Sequence, residues 1–243
     1  MNDGGASDRA LTPARLGVGR AGTRYTTASM LKFRADHARA LDAVTTEVSG
    51  EWPRKNGLIE FHSEVATREE YLLHPERGRR LRRNEIAKLR TLNPPPRKAK
   101  AASKPSVLIF IGDGLSSVAV EANAAPLLNA LIKQMRGKHH LLKAFFIRNA
   151  RVRIEDHLGE ILKPEVVCMI VGERPGLATA ESLSAYMIYR PRLSSMEPDR
   201  TVISNIHRGG IPIAEAATKI AALIDDAIRL RATGAKLAAL LTE

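Results

Sequence analysis

The sequence contains a single cysteine, Cys168, among its 243 residues. An intramolecular disulfide and a metal cage built from several cysteines are therefore both excluded. Aromatic residues make up only 4% of the chain, which leaves few side chains on which nucleic-acid bases could stack. No apolar run approaches the roughly 20 residues that a membrane-spanning helix requires. These absences predict a protein without disulfides and without a membrane partner.

The N-terminal residues Met1 to Gly5 have neither a basic start nor an apolar stretch, so we expect no secretory signal. Hydrophobic residues make up 44% of the chain and charged residues 26%, as in ordinary globular proteins. We therefore predict a folded cytoplasmic protein.

Positive charge exceeds negative charge strongly, with a formal net charge of +12. Most of the excess lies in residues 1–105, with dense runs at Arg77 to Arg83 and at Arg97 to Lys104. Such runs can bind phosphates without reading a base sequence, but they are also typical of solvated or partner-facing surfaces. The low aromatic content favours the second interpretation. We predict no nucleic-acid partner and keep a basic nucleic-acid-binding protein as the alternative.

The segment from Leu92 to Ser106 has the composition of a linker, because it contains three consecutive prolines and few apolar residues. It separates two predicted domains: residues 1–100, a small basic helical region for subunit docking, and residues 101–243. Helices are predicted from Thr27 to Val44 and from Arg82 to Leu92. The segment between them is predicted to be irregular and too polar to form much core.

Short apolar runs alternate with helical patterns after the linker. Val107 to Ile111 and Val166 to Val171 are typical of buried strands, and Ala214 to Arg231 has the pattern of a closing helix. The alternation predicts the α/β class, with a Rossmann-like, mostly parallel sheet and flanking helices. In such a sheet, ligands bind outside the carboxyl ends of the strands. A stand-alone nucleotide-binding protein of this class is a second alternative.

Two glycine-rich segments need separate interpretations. Gly17 to Gly22 matches the dinucleotide pattern G-x-G-x-x-G, but no buried strand precedes it, so we reject a dinucleotide site there. Gly112-Asp113-Gly114 follows a predicted strand, where the glycines permit a tight turn. Asp113 would repel a phosphate, so a polar uncharged ligand edge or a partner subunit suits this loop better.

Gly172 to Gly176 follows the strongest predicted strand and places Glu173 at the ligand edge of the sheet. A cofactor contact and a surface turn with a salt bridge both remain open for Glu173. His207 could be a ligand or a base, although a structural hydrogen-bonding role is favoured. Cys168 is interpreted as an inert core residue. No triad or paired-carboxylate spacing is present, so we predict no catalytic residue and no metal ligand in this chain.

Eight segments together resemble one family, the small (light) subunit of ethanolamine ammonia-lyase. They occur in the family's order over nearly the whole chain. Each segment alone is weak evidence for the family, but the eight together are specific for it. These segments are Ala14–Gly22, Ala35–Arg39, Asp113–Ser116, Arg151–Asp156, Val171–Leu177, Glu181–Ser184, Asp199–Thr201 and Ser204–His207.

The resemblance implies an adenosylcobalamin-dependent ammonia-lyase that converts ethanolamine to acetaldehyde and ammonia by radical chemistry. In that family a large subunit with a TIM barrel carries the substrate site, and the small subunit covers the other face of the corrin ring. The resemblance further implies a hetero-oligomer with six copies of each subunit. It leaves a bacterial microcompartment open as a location, because longer members carry a targeting extension and the leader before Pro13 is short.

The family's cobalamin contacts on this subunit correspond to Val152, Glu173 and the position of Val202. Some members have cysteine in place of Val202, so only an apolar or main-chain contact can persist there. The sequence lacks the Asp-x-His-x-x-Gly loop by which other cobalamin domains supply a histidine to cobalt. The resemblance likewise implies base-on cobalamin, with dimethylbenzimidazole on the metal. We therefore predict no cobalt ligand from this chain.

Overall fold

The structure, a computed structural model, describes residues 18–94 and 104–242. Within these residues a two-stranded hairpin precedes a seven-stranded sheet with helices on both faces. The strands are β1 (Arg20–Ala21), β2 (Arg24–Tyr25), β3 (Ile59–His62), β4 (Ser106–Gly112), β5 (His140–Leu141), β6 (Phe145–Arg148), β7 (Val166–Gly172), β8 (Leu183–Tyr189) and β9 (Thr201–Ile206). The helices are α1 (Thr27–Thr45), α2 (Trp52–Lys55), α3 (Arg68–Leu73), α4 (Ile86–Leu92), α5 (Ala125–Met135), α6 (Ile154–Leu162), α7 (Ile213–Leu230) and α8 (Gly234–Thr242).

Several shorter helical turns accompany these elements. A helical turn (Ser117–Ala119) and a π-helical turn (Val120–Ala124) lead directly into α5. Three 3₁₀ turns lie at Arg77–Arg79, Arg83–Glu85 and Glu197–Asp199. The predicted helix from Arg82 to Leu92 is thus a 3₁₀ turn followed by α4.

The large sheet has the strand order β3-β6-β4-β7-β8-β9, and β5 pairs with the start of β4. Neighbours from β3 to β7 are parallel, whereas β7–β8 and β8–β9 are antiparallel. The direction changes because the connection 173–182 carries no crossover helix, which a parallel pairing would require. The predicted α/β class is confirmed, with a mixed and mostly parallel sheet. The Rossmann-like assignment and the helical character of the N-terminal region stay predictions.

Apolar side chains cover both faces of the sheet. On one face α5 and α7 contribute residues such as Leu131 and Ile224, and on the other α6 contributes Leu158. All seven residues of β7 are buried, as expected for a central strand covered on both faces. Cys168 lies in β7 as a free thiol, and burial raises its pKa, so the thiol stays protonated.

The segment between the two predicted N-terminal helices was wrongly expected to be irregular and without much core. It contains β3, which pairs in parallel with β6 at the edge of the sheet. In β3 Phe61 is fully buried while Ile59 is 40% exposed, a pattern that suits an edge strand better than a central one. The predicted domain boundary between residues 100 and 101 stays a prediction. Strand β3 precedes this boundary in the sequence but pairs within the large sheet.

The G-x-G-x-x-G segment forms a hairpin. Gly17 lies outside the described residues, β1 and β2 pair antiparallel, and Gly22 between them adopts a positive φ of 63°. This geometry differs from the strand-to-helix turn that a dinucleotide site needs. The helix predicted from Thr27 is α1, and its N-cap is Thr26, whose side chain accepts a hydrogen bond from the backbone N–H of Ser29.

Candidate cofactor-binding site

A groove with a volume of about 470 Å³ opens at the edge where β4, β6 and β7 end. Because β8 runs antiparallel, its first residues reach the same edge, as does the end of β9. Ligands of α/β sheets bind at such carboxyl edges. The groove is lined by Tyr71, Gly114, Leu115, Ala150, Arg151, Val152, Val171, Gly172, Glu173, Arg174, Ser184, Tyr186 and Ser204.

Asp113 links two of the loops that form this groove. Its fully buried carboxylate accepts hydrogen bonds from the backbone N–H groups of Asn149 (2.8 Å) and Ala150 (3.0 Å). Arg68 lies 3.7 Å from the same carboxylate and donates to the carbonyl oxygen of Gly114 at 2.9 Å. Burial raises the pKa of Asp113, and Arg68 opposes that rise. These contacts give Asp113 a structural role at the site.

Gly114 brings the loop after β4 against the end of β7. It adopts a positive φ of 60°, and a Cβ atom there would lie 2.3 Å from the carbonyl oxygen of Gly172. The next residue, Leu115, donates its backbone N–H to that carbonyl at 3.0 Å. Only glycine fits so close a backbone approach in this conformation.

Glu173 lies directly after β7 and is half-buried in the groove. Its Oε1 accepts hydrogen bonds from the hydroxyl of Ser184 at 2.5 Å and from the backbone N–H of Asn205 at 2.9 Å. Of the two interpretations left open by the sequence, the surface salt bridge does not form with any described residue. The carboxylate is held instead by neutral donors from β8 and β9.

Val152 and Val202 reach the groove in different ways. Val152 lies in the turn between β6 and α6 and lines the groove wall, where a short extended segment had been expected. Val202 is outside the set of lining residues, but it pairs with Tyr186 across β8 and β9. Paired residues point to the same face of a sheet, so Val202, which is 43% exposed, lies beside the groove. Val152 and Glu173 therefore line one groove, whereas Val202 lies near the start of β9, outside the lining.

Sequence reasoning missed Tyr71, whose ring is contacted by two guanidinium groups. The Cζ atoms of Arg151 and Arg68 lie 4.0 and 4.6 Å from the ring centroid. The Tyr71 hydroxyl donates to the carbonyl oxygen of Ala150 at 3.1 Å, and burial raises the pKa of the phenol. No sequence signal pointed to Tyr71, because it belongs to the segment that was interpreted as irregular.

A buried charge cluster lies on the α6 side of the sheet. The Arg200 guanidinium donates from Nε to Glu155 at 3.2 Å and also donates to Asp156, and all three side chains are at most 3% exposed. Arg153 adds a contact of 3.3 Å to Asp156. The cluster joins Arg151–Asp156 to Asp199–Thr201, two of the segments that carry the family resemblance. Burial raises the pKa of Glu155 well above its usual range, and Arg200 opposes this.

His207 has a local structural environment. Its Nδ1 accepts the backbone N–H of Gly209 at 3.1 Å, which places the ring proton on Nε2, 2.9 Å from the side-chain oxygen of Asn205. These contacts favour the structural interpretation of His207. Within residues 18–94 and 104–242, no group of three or more His, Cys, Asp or Glu side chains is arranged to hold a metal ion. No helix in this described part is both long and apolar enough to cross a bilayer.

The fold and the groove define a class of protein: an α/β protein that offers a ligand an apolar wall and an anchored carboxylate at one edge of a mixed sheet. A family model described as ethanolamine ammonia-lyase light chain (EutC) matches residues 2–238. The chain therefore belongs to the ethanolamine ammonia-lyase light chain family.

Curated relatives agree with this family. A protein of Clostridioides difficile strain 630, named ethanolamine ammonia-lyase small subunit, is 45% identical over 231 residues, which cover 94% of this chain and 76% of the relative. Proteins of the same name from Fusobacterium nucleatum and Lachnoclostridium phytofermentans are 43% and 45% identical, and each alignment covers 93% of this chain and 74% of the relative. The expected family is confirmed.

Proposed function

We propose that this chain acts as the small subunit of an ethanolamine ammonia-lyase and holds adenosylcobalamin against a large catalytic subunit. The observation that carries the proposal is the groove at the carboxyl edge of the sheet, which is lined by Val152 and Glu173 and has Val202 beside its lining residue Tyr186. Val152, Glu173 and Val202 lie far apart in the sequence. The sheet, which we class as Rossmann-like, supplies the carboxyl edge at which this groove forms.

The residues at this edge fit the cofactor. A corrin ring has an apolar body and a rim of amide side chains. Val152 and Val171 give the groove an apolar wall, and Glu173 supplies an acceptor for amide N–H groups. Adenosylcobalamin would supply the radical chemistry when bound, while the protein orients it and excludes competing reactions.

A groove of this size can enclose only part of a molecule as large as cobalamin. The remaining surface must then be covered by another chain, and we assign that role to a large subunit in a complex with six copies of each. In this arrangement Glu173 and Val152 would hold cobalamin, and this chain would supply no cobalt ligand and no catalytic residue. Its contribution is to hold and orient the cofactor.

Helix α1 supports the assignment of a partner-facing region. Among its side chains only Asp36 and Ala43 are buried, while Leu31 and Leu41 are 58% and 55% exposed. An exposed apolar surface rimmed by polar residues is typical of a protein–protein contact. We therefore assign α1 and the basic N-terminal region to docking on the large subunit and neighbouring copies.

Co-expression with the large subunit of the same organism tests the proposed function. We expect the purified complex to form acetaldehyde from ethanolamine only when adenosylcobalamin is added. Neither subunit alone should do so, because each leaves the cofactor half-enclosed. Deamination by this chain alone would contradict the proposal. Salt-sensitive RNA or DNA binding that survives addition of the large subunit would favour the nucleic-acid alternative.

A further inference from the structure

The Glu173 carboxylate is anchored through one of its two oxygens. Oε1 receives both hydrogen bonds, from the Ser184 hydroxyl and from the backbone N–H of Asn205. No residue in the described ranges donates a hydrogen bond to Oε2. Because the two donors belong to β8 and β9, the carboxylate is held from two strands while one oxygen stays available to a ligand in the groove.

Ser184 is the side-chain donor in this arrangement. It is 2% exposed, and its hydroxyl lies 2.5 Å from Glu173 Oε1 and 3.1 Å from the hydroxyl of Ser204. A hydroxyl carries one proton and a carboxylate only accepts, so that proton is directed to Glu173. Hydrogen bonds to a charged acceptor are stronger than neutral ones. Ser184 is thus well placed to fix the orientation of the carboxylate.

We propose that Ser184 is a positioning residue that acts through Glu173 and makes this part of the groove selective for a ligand edge that donates N–H groups. The inference rests on the proposed function and extends it to the ligand chemistry read at this position. An acceptor that is already oriented loses little conformational freedom when a ligand binds. Without the Ser184 hydroxyl, Glu173 loses the side-chain hydrogen bond that orients it.

Cobalamin affinity of the two-subunit complex measures this effect. In equilibrium dialysis, Ser184→Ala should weaken binding about tenfold, the size expected when one hydrogen bond to a charged group is lost. Ser184→Cys has a side chain of similar size that donates only weakly. The cobalamin affinity of that complex should therefore lie between those of the parent and the Ser184→Ala complexes. The matched control is Ser182→Ala, since the Ser182 hydroxyl is buried and contacts no described hydrogen-bond partner. The control should bind like the parent complex.

A double-mutant cycle separates positioning from a general structural effect. In the Glu173→Ala background, Ser184→Ala should produce no further loss of affinity, because the group that it orients is gone. Equal losses in both backgrounds would overturn the inference. If Glu173→Ala weakens binding and Ser184→Ala does not, the inference fails while the proposed function stands. If Glu173→Ala leaves the affinity unchanged, the assignment of Glu173 to the cofactor site fails as well.

Discussion

Replacement of Arg200 by methionine is expected to lower the free energy of unfolding by about 3–5 kcal/mol, the cost of leaving buried charges without their partner. The Arg200 guanidinium serves Glu155 and Asp156 together, and none of the three side chains is more than 3% exposed. Methionine fills a similar volume without the charge, so the loss reports mainly on electrostatics. Denaturant unfolding of the purified chain measures this change.

The matched control for this variant is Arg190→Met. Arg190 forms an ion pair with Glu165 at 2.7 Å, but its side chain is 56% exposed. Exposed pairs contribute little, so the control should change the free energy of unfolding by less than about 1 kcal/mol. The double variant Arg200→Met, Glu155→Gln should regain part of the free energy of unfolding that Arg200→Met loses, because it removes one of the carboxylates left without a partner. Equal effects of the Arg200 and Arg190 variants would contradict the structural role of the cluster.

Replacement of Glu173 by alanine is expected to weaken cobalamin binding to the two-subunit complex by about ten- to a hundredfold. The reason is the loss of a charged acceptor, which is worth roughly 1.5–3 kcal/mol per hydrogen bond. The anchoring contacts from Ser184 and Asn205 are hydrogen bonds between neutral donors and the carboxylate. Their loss exposes little apolar surface, so we expect the fold to persist. Equilibrium dialysis gives the affinity, and circular dichroism checks the fold.

Glu181→Ala provides the control for the Glu173 variant. Glu181 is an exposed carboxylate on the same β7–β8 connection, but it lies outside the groove. Its removal changes the net charge in the same way as the Glu173 variant. The control complex should therefore bind cobalamin like the parent. Unchanged affinity in Glu173→Ala would remove Glu173 from the cofactor site.

The central strands and the closing helix could be predicted from the sequence. The predicted strand from Val166 to Val171 is observed as β7, and the helix expected from Ala214 to Arg231 is α7 (Ile213–Leu230). Continuous apolar runs mark strands that are covered on both faces, and a 3.6-residue period marks an amphipathic helix. Both signals are local, so a single sequence was sufficient to predict this strand and this helix.

The edge strands were harder to predict because their patterns are weaker. Only the end of β8 was expected, from Tyr186 to Tyr189, although the strand begins at Leu183. Ser184 interrupts the apolar run, and its burial is explained by its hydrogen bonds to Glu173 and Ser204, which only the fold brings together. The strand β3 was missed because only Phe61 among its four residues is buried.

The candidate site was predictable only in part. Glu173 could be found because it follows the strongest strand, and the family resemblance supplied Val152 and Val202. The contacts that organise the site join residues that are distant in the chain. Examples are the bond from Asn205 to Glu173 and the pairing of Arg200 with Glu155. No local pattern encodes such partners, so they emerge only from the fold.

A structure of the two-subunit complex with cobalamin bound is the most direct measurement of where this chain holds the cofactor. We expect the corrin edge to lie in the groove, with an amide N–H donating to Glu173 and apolar or main-chain contacts from Val152 and Val202. A large subunit should cover the opposite face of the ring. A corrin ring bound away from the edge that carries Gly172 to Gly176 would contradict the proposed role.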